Sequence, residues 1–309
     1  MKDTQAIVVA TVLWLAATAP PAGVLHAAEA TSTRSGDNNS VSIKDAAHDP
    51  GKVVRMYRWN IPFPMLAANF TQADTPAFVS ILKDDNRPAD EQAGDYNVAL
   101  GLIWRLSSRN NDQVAADLLE AFKKPIKFEQ FTNKLSDLRD VLVSRRDILE
   151  AIGRVGGSKA EAILRQALTK EGAKEVSKAW FSDVPGEIFP PDNLLAVIRG
   201  EAAMGLVYVN TPEALDLVRA EYNRERQACI AADKLSRYHN YLASAMARMD
   251  ALHALGYDKT RPSPSDGTDT RKTMEFIGNY SLTLAAYESD PVVTRPAANR
   301  TGPGPSGQR

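Results

Sequence analysis

The sequence has one cysteine, Cys229, in 309 residues. No intramolecular disulfide can form, so packing must stabilise the fold. A lone thiol in Arg226-Gln227-Ala228-Cys229-Ile230 reads as a small buried apolar side chain, the alternative being pairing between molecules. Histidine is scarce too. His26 and His48 fall near the start, while His239 and His253 are 14 residues apart. On one helix that separation is about 21 Å at 1.5 Å per residue, too far to share a metal ion. Asp250 and His253 can touch at i and i+3, where a surface hydrogen bond is the plain use. The chain has no H-E-x-x-H, C-x-x-C or G-x-S-x-G and no glycine-rich phosphate loop. We therefore expect no catalytic residue, no metal ligand and no cofactor.

Net charge is also missing. Lys plus Arg number 37 against 38 Asp plus Glu, and setting aside Lys2, Asp3 and Glu29 in residues 1–30 leaves 36 of each. No global field favours nucleic acid or anionic lipid, so neither is expected as a partner. Long apolar runs are absent after the first thirty residues. Before that, Lys2, an apolar run from Ala6 to Ala19 and the small-residue site Ala28-Glu29-Ala30 read as a secretory signal cleaved after Ala30. The run is 14 residues long and ends at Pro20-Pro21, shorter than the ~20 that a spanning helix needs. The expectation is a periplasmic or secreted protein with no stable membrane insertion once the signal is removed.

What is present is a core's worth of material, 44% hydrophobic and 24% charged, in ordinary globular proportion. Residues 31–50 are rich in Ser, Asn and Asp and read as a linker. Residues 290–309 are rich in Pro, Gly and Arg and read as an extended tail. Residues 51–289 form the body between them.

Within the body, four tripeptides recur: Ala99-Leu100-Gly101, Ala151-Ile152-Gly153, Ala203-Met204-Gly205 and Ala254-Leu255-Gly256. Their glycines are 52, 52 and 51 residues apart. A fixed period of this order marks stacked supersecondary units. Val141, Ile148, Ala151 and Ile152 fall at helical spacing, with Arg145, Arg146 and Asp147 on the opposite side, expected in solvent. Gly156-Gly157 then closes the helix, and Ser158 with Glu161 reads as a capping box opening a second, amphipathic helix. In the next unit Thr211 is the cap and Pro212 the first helical residue. Ala162 and Ala214 each lie nine residues after their glycine, so the two central units align without a gap. The outer units are looser, as terminal repeats are. Gly101 sits where a helix can run through it, and Gly256 is followed by a Pro/Ser/Asp loop.

The stretches RDILEAIGRVGGSKAEAILRQAL and IRGEAAMGLVYVNTPEALDLV resemble HEAT repeats, well over residues 141–169 and 191–222 and more weakly over 92–123 and 238–257. The period departs from the ~40–47 residues usual for that family, and the excess falls in 125–140, 170–190 and 223–237, as added helices or surface loops. The resemblance implies an all-α, right-handed α-solenoid of about four helix pairs. In it, Leu149, Ile152, Ile163, Leu164, Leu168, Val197, Met204, Leu215, Val218, Leu252 and Leu255 would be buried between layers. It also implies a binding habit, a protein or peptide partner, without naming the ligand.

Two aromatic segments are the candidate binding sites. Residues 178–191 carry Trp180, Phe181 and Phe189 with Pro190-Pro191, in an insertion where repeat proteins place partner contacts. The same rings could instead cover the joint between two repeats. Residues 53–66 carry Tyr57, Trp59 and Phe63 with Arg55 and Arg58; the alternation from Arg55 to Asn60 predicts an extended strand, either a cationic and aromatic contact surface or an arm capping the first helix pair. The acidic stretch from Lys83 to Asp95 reads as a solvated loop. Two functions remain open: a non-catalytic interaction scaffold, or a hydrolase or lyase whose acidic groups converge only in the fold.

Overall fold

The computed structural model describes residues 49–57, 67–84, 89–107, 109–127, 135–182, 192–257 and 270–288. Every regular element among them is helical, so the protein is all-α. The α-helices are α1 (Pro50–Tyr57), α2 (Thr75–Leu82), α3 (Ala89–Leu106), α4 (Asp112–Lys123), α5 (Leu135–Val155), α6 (Ser158–Leu168), α7 (Lys170–Ser177), α8 (Asp192–Val209), α9 (Pro212–Ala232), α10 (Arg237–Ala254) and α11 (Thr270–Glu288). Short 3₁₀ turns at Gln72–Asp74 and Lys178–Phe181 precede α2 and follow α7. No helix among the described residues is long and apolar enough to cross a membrane.

Local chemistry sets the helix boundaries. Side-chain oxygens of Asn111, Thr169, Thr211 and Ser236 each accept a bond from the backbone N–H three residues on, opening α4, α7, α9 and α10. Such a cap satisfies a donor that the first turn leaves orphaned. Gly156 and Gly157 end α5 at φ of 75° and 99°, values a side chain resists. The opening of α6 differs from expectation. Ser158 is its first helical residue, not its cap. The cap comes from the preceding pair, where Asp112 Oδ1 accepts from the Lys159 N–H at 3.0 Å and Oδ2 from the Ser158 hydroxyl at 3.2 Å. Glu161 does not close a capping box either; its carboxylate accepts from Arg165 and, at 3.0 Å, from the Thr211 hydroxyl at the start of α9.

The long helices pack in chain order, α3 on α5, α5 on α8, α8 on α10 and α10 on α11. A second set lies alongside, with α4 on α6, α6 on α8 and α9 on α10. Helix α8 is central and is buried from Gly200 to Val209 without a break, as expected of a helix that is apolar all round. Of the predicted core, Leu149, Ile152, Ile163, Leu164, Leu168, Val197, Met204, Val218 and Leu252 are buried, while Leu215 and Leu255 are half-buried against it. Cys229 is buried too.

Where two neighbouring helices come closest, glycine is required. A Cβ on Gly153 would stand 2.1 Å from the carbonyl oxygen of Gly205, and one on Gly205 would stand 2.7 Å from that of Leu149. Gly101, Gly153 and Gly205 all lie inside their helices rather than at the ends. Two other expectations are corrected. Arg55 to Tyr57 belong to α1, not to a strand: Asp49 accepts from the Lys52 N–H at 3.1 Å, and burial of Val53 and Val54 fixes a helical face. The acidic stretch is helical from Ala89, and Asp95 is fully buried, which corrects the solvated-loop reading for that part; residues 85–88 lie outside the described residues.

Candidate functional site

In the described part of the insertion after α6 lie α7 and its 3₁₀ turn, and this turn sends Trp180 and Phe181 inward, to 0% and 4% exposure. The Trp180 indole N–H donates to the Phe122 carbonyl, and the two rings pack 4.9 Å apart. The Trp180 carbonyl in turn accepts from the Ile126 N–H at 3.3 Å. Trp180 therefore ties the turn after α7 to α4 inside the core, and neither Trp180 nor Phe181 is exposed. Tyr57 ends α1, and Trp59, Phe63 and Phe189 lie outside the described residues.

The structure gathers a different set of chemistry-bearing side chains. Arg146, Glu150 and Arg154 of α5 meet Glu201 and Tyr208 of α8 and Tyr241 and Arg248 of α10. Arg146 and Arg248 are 2% and 1% exposed and Glu201 is 2% exposed. This corrects the expectation that Arg145 and Arg146 face solvent; both are buried. The reason is that α5 is covered on two sides, by α3 and by α8, so a single apolar stripe cannot describe it. Arg145 donates to the Lys124 carbonyl and stands 5.9 Å from the Trp180 ring.

Charge is shared unevenly along this seam. Glu150 has two cations: Arg154 at 2.8 Å and Arg248 at 2.8 Å. Arg146 has two anions: Asp147 at 3.5 Å and Glu201 at 3.6 Å. The acids respond in opposite directions. Burial alone would raise Glu150, but Arg248 and then Arg154 outweigh it and hold the carboxyl below its usual value. Asp147 is pushed up to about 8, first by burial and then by the negative charges of Glu201 and Glu150, against the pull of Arg146. Glu201 is also raised by burial, with Arg146 opposing. Asp147 keeps 29% of its side chain open, so it is the member of the seam that reaches water.

Tyrosines close the seam. The Tyr208 hydroxyl accepts from Arg154 at 2.7 Å and from Arg248 at 3.1 Å, and the Arg154 guanidinium lies 4.0 Å from the Tyr208 ring centre. Arg146 donates to the Tyr241 hydroxyl at 3.4 Å. Burial raises the phenols of Tyr241 and Tyr280, so both stay neutral. The expected Asp250–His253 contact is replaced: the Tyr287 hydroxyl donates to Asp250 at 2.7 Å. His239 is buried at 2% exposure, with its ring centre 5.4 Å from that of Tyr222, and His253 is exposed. Among the described residues no three His, Cys, Asp or Glu side chains converge as a metal ion would require.

Sequence reading missed Glu150, Arg154, Glu201, Tyr208 and Arg248 as a group. A signal for it exists. Glu201 and Arg248 are each the one charged residue of a stretch, Gly200 to Val209 and Tyr241 to Met249. A charge placed among buried neighbours needs an opposite charge in the fold.

On the surface, the beginnings of α4 and α6 frame a shallow, open depression lined by Asp112, Gln113, Ala116, Ser158, Lys159 and Ala162. No protein-family model matches the chain, and neither does any curated protein or any solved structure. What the fold defines is therefore a class, an all-α protein with a buried ionic seam at its centre.

Proposed function

We propose that this chain is an exported, non-catalytic HEAT-like helical-repeat protein acting as a protein–protein interaction scaffold. In this reading residues 1–30 are a signal, the mature protein is periplasmic or secreted, and α3/α4, α5/α6, α8/α9 and α10/α11 are the four pairs of a right-handed solenoid. The observation that carries it is the contact between Gly153 and Gly205, which sit at the same place in the 52-residue period and meet where α5 crosses α8. Supporting it, the openings of the second helices are linked pair to pair, Asp112 to Lys159 and Glu161 to Thr211. Equivalent residues meeting equivalent residues is what stacked repeats do.

The partner surface we propose is the depression between α4 and α6, where Ala116 and Ala162 leave room beside Asp112 and Lys159. Affinity capture from the native envelope fraction tests it. Wild type should retain a specific protein that the Ala116→Arg/Ala162→Arg variant loses while keeping its helical circular-dichroism spectrum. Capture of the same proteins by both forms sinks the surface. The absence of any specific partner sinks the scaffold reading.

One observation favours a hydrolase or lyase instead. In that reading Asp147, its carboxyl raised to about 8 and its side chain 29% open, donates a proton beside Glu201; raised carboxyl groups recur at active sites. Mass spectrometry of envelope extracts incubated with wild type or Asp147→Asn decides this reading. Products that appear with wild type alone support it, and identical extracts refute it.

A further inference from the structure

Among the described residues three large apolar side chains stand exposed, Leu235, Met274 and Leu282, and the last two lie on one line of α11. Met274 is 63% and Leu282 76% exposed. Gly278 is midway, four residues from each, and a Cβ there would meet nothing within 4 Å. Side chains four apart form the ridges by which helices interlock. Met274, Gly278, Leu282 and Ala286 are one such ridge, exposed throughout. The other side of α11 is spent on the body: Phe276 and Tyr280 are buried, and Tyr287 packs on Tyr222 at 5.3 Å.

We propose that this ridge pairs with the same ridge of a second copy of the chain, antiparallel, about a two-fold axis through Gly278. The ridge is its own complement. Rotation about that axis lays Met274 of each copy on Leu282 of the other, because both stand four residues from the centre. The residue at the centre is glycine, which lets two backbones approach as closely as α5 and α8 do at Gly153 and Gly205. Nothing repels: from Phe276 to Tyr287 the helix carries no charged residue.

The opposite end of the stack explains why the pairing is isologous. There α1 and α2 cover α3 and turn Lys52, Arg55, Pro76 and Ser80 outward. Among the described residues that surface offers no apolar ridge to match α11, which favours a two-fold pair that closes on itself over head-to-tail association. One 19-residue helix spans about 28 Å. A crossing of two such helices buries less than the ~800 Å² per partner of a standard stable interface. The association is therefore weak and reversible, well short of a standard stable complex.

Nothing in this pairing depends on the scaffold reading, since an enzyme of the same fold would associate in the same way. Sedimentation velocity of the purified full chain over a hundredfold concentration range tests it. The expected result is a monomer at low concentration that shifts reversibly toward twice its mass. Met274→Glu/Leu282→Glu should be monomeric throughout with an unchanged helical spectrum, and Leu235→Glu should associate like wild type. Gly278→Cys should form a disulfide-linked dimer on mild oxidation, since residues on a two-fold axis face their own mates. A wild type that stays monomeric overturns the proposal, as does a dimer that survives Met274→Glu/Leu282→Glu. A monomer that loses a captured protein partner through those two substitutions also overturns it and gives the ridge to a different protein.

Discussion

Gly153 of α5 and Gly205 of α8 stand back to back, so close that the hydrogen of one occupies the only space in front of the other's carbonyl; a methyl group on Gly153 would lie 2.1 Å from that oxygen. Glycine inside a helix ordinarily costs about 0.5–1 kcal/mol relative to alanine. Here the cost is offset by the approach it permits. Gly153→Ala should therefore destabilise the protein rather than stabilise it, by about 1–3 kcal/mol as overpacked cores do. Urea unfolding followed by circular dichroism measures this, and a midpoint equal to or above wild type would show that α5 and α8 do not cross at this point.

Trp180 separates a packing role from a binding one. With its ring at 0% exposure and its indole N–H bonded to the Phe122 carbonyl, Trp180→Ala should cost about 3–5 kcal/mol. Trp180→Phe keeps much of the ring but orphans a buried carbonyl, and should cost about 1–3 kcal/mol. Thermal unfolding reads both. A Trp180→Ala protein as stable as wild type would return Trp180 to the surface and reopen it as a partner contact.

How much was legible in the sequence follows from which signals are local. Helix openings at Thr211 and Pro212, the close at Gly156-Gly157 and the core stripe through Leu149, Ile152, Ile163 and Leu164 rest on neighbours three or four residues away, and they are readable. The cap on α6 comes from Asp112, 46 residues before Ser158, so Ser158 was assigned a role that a distant side chain fills. Arg146 was placed in solvent because amphipathic patterning assumes one buried face, and α5 has two. Trp180 left two readings open because an aromatic cluster looks the same at a joint and at an interface; only its bond to Phe122 decides where the ring points. The seam was illegible as a set because Glu150, Glu201 and Arg248 belong to three helices that nothing local brings together.

Asp147 gives stability a pH dependence of definite sign. Its carboxyl is held at about 8 in the fold against an ordinary value of 3.8. Between those limits the native state keeps a proton that the unfolded chain has released, so stability is fullest below about 3.8 and falls as pH rises through about 8. Water reaches this side chain, which tempers the size of the effect but not its direction. Asp147→Asn removes the titrating group while keeping a neutral, similarly shaped one. Denaturation midpoints between pH 6 and 9, a range chosen to bracket this transition, should decline for wild type and stay flatter for the variant. Parallel curves would mean that Asp147 is ionised in the fold at neutral pH.

Glu150 and Arg248 form the strongest test of the seam, because their charges meet across α5 and α10. Arg248 is 1% exposed and its guanidinium lies 2.8 Å from Glu150. Arg248→Met keeps the length of the side chain but leaves Glu150 with Arg154 alone, and Glu150→Gln leaves Arg248 without its anion. Glu150→Gln leaves Arg248 buried without its anion and should cost about 3–5 kcal/mol; Arg248→Met should cost less, because Arg154 still compensates Glu150. The double variant Glu150→Gln/Arg248→Met removes both charges, and its loss should be smaller than the sum of the two single losses by about 1 kcal/mol or more, within the range for residues in contact. Tyr208, which accepts from Arg248 at 3.1 Å and from Arg154 at 2.7 Å, keeps its second donor in that double variant, so the residual loss reports packing rather than an orphaned hydroxyl. Strictly additive losses would mean that the two charges do not meet, and that α5 and α10 are joined by apolar packing alone.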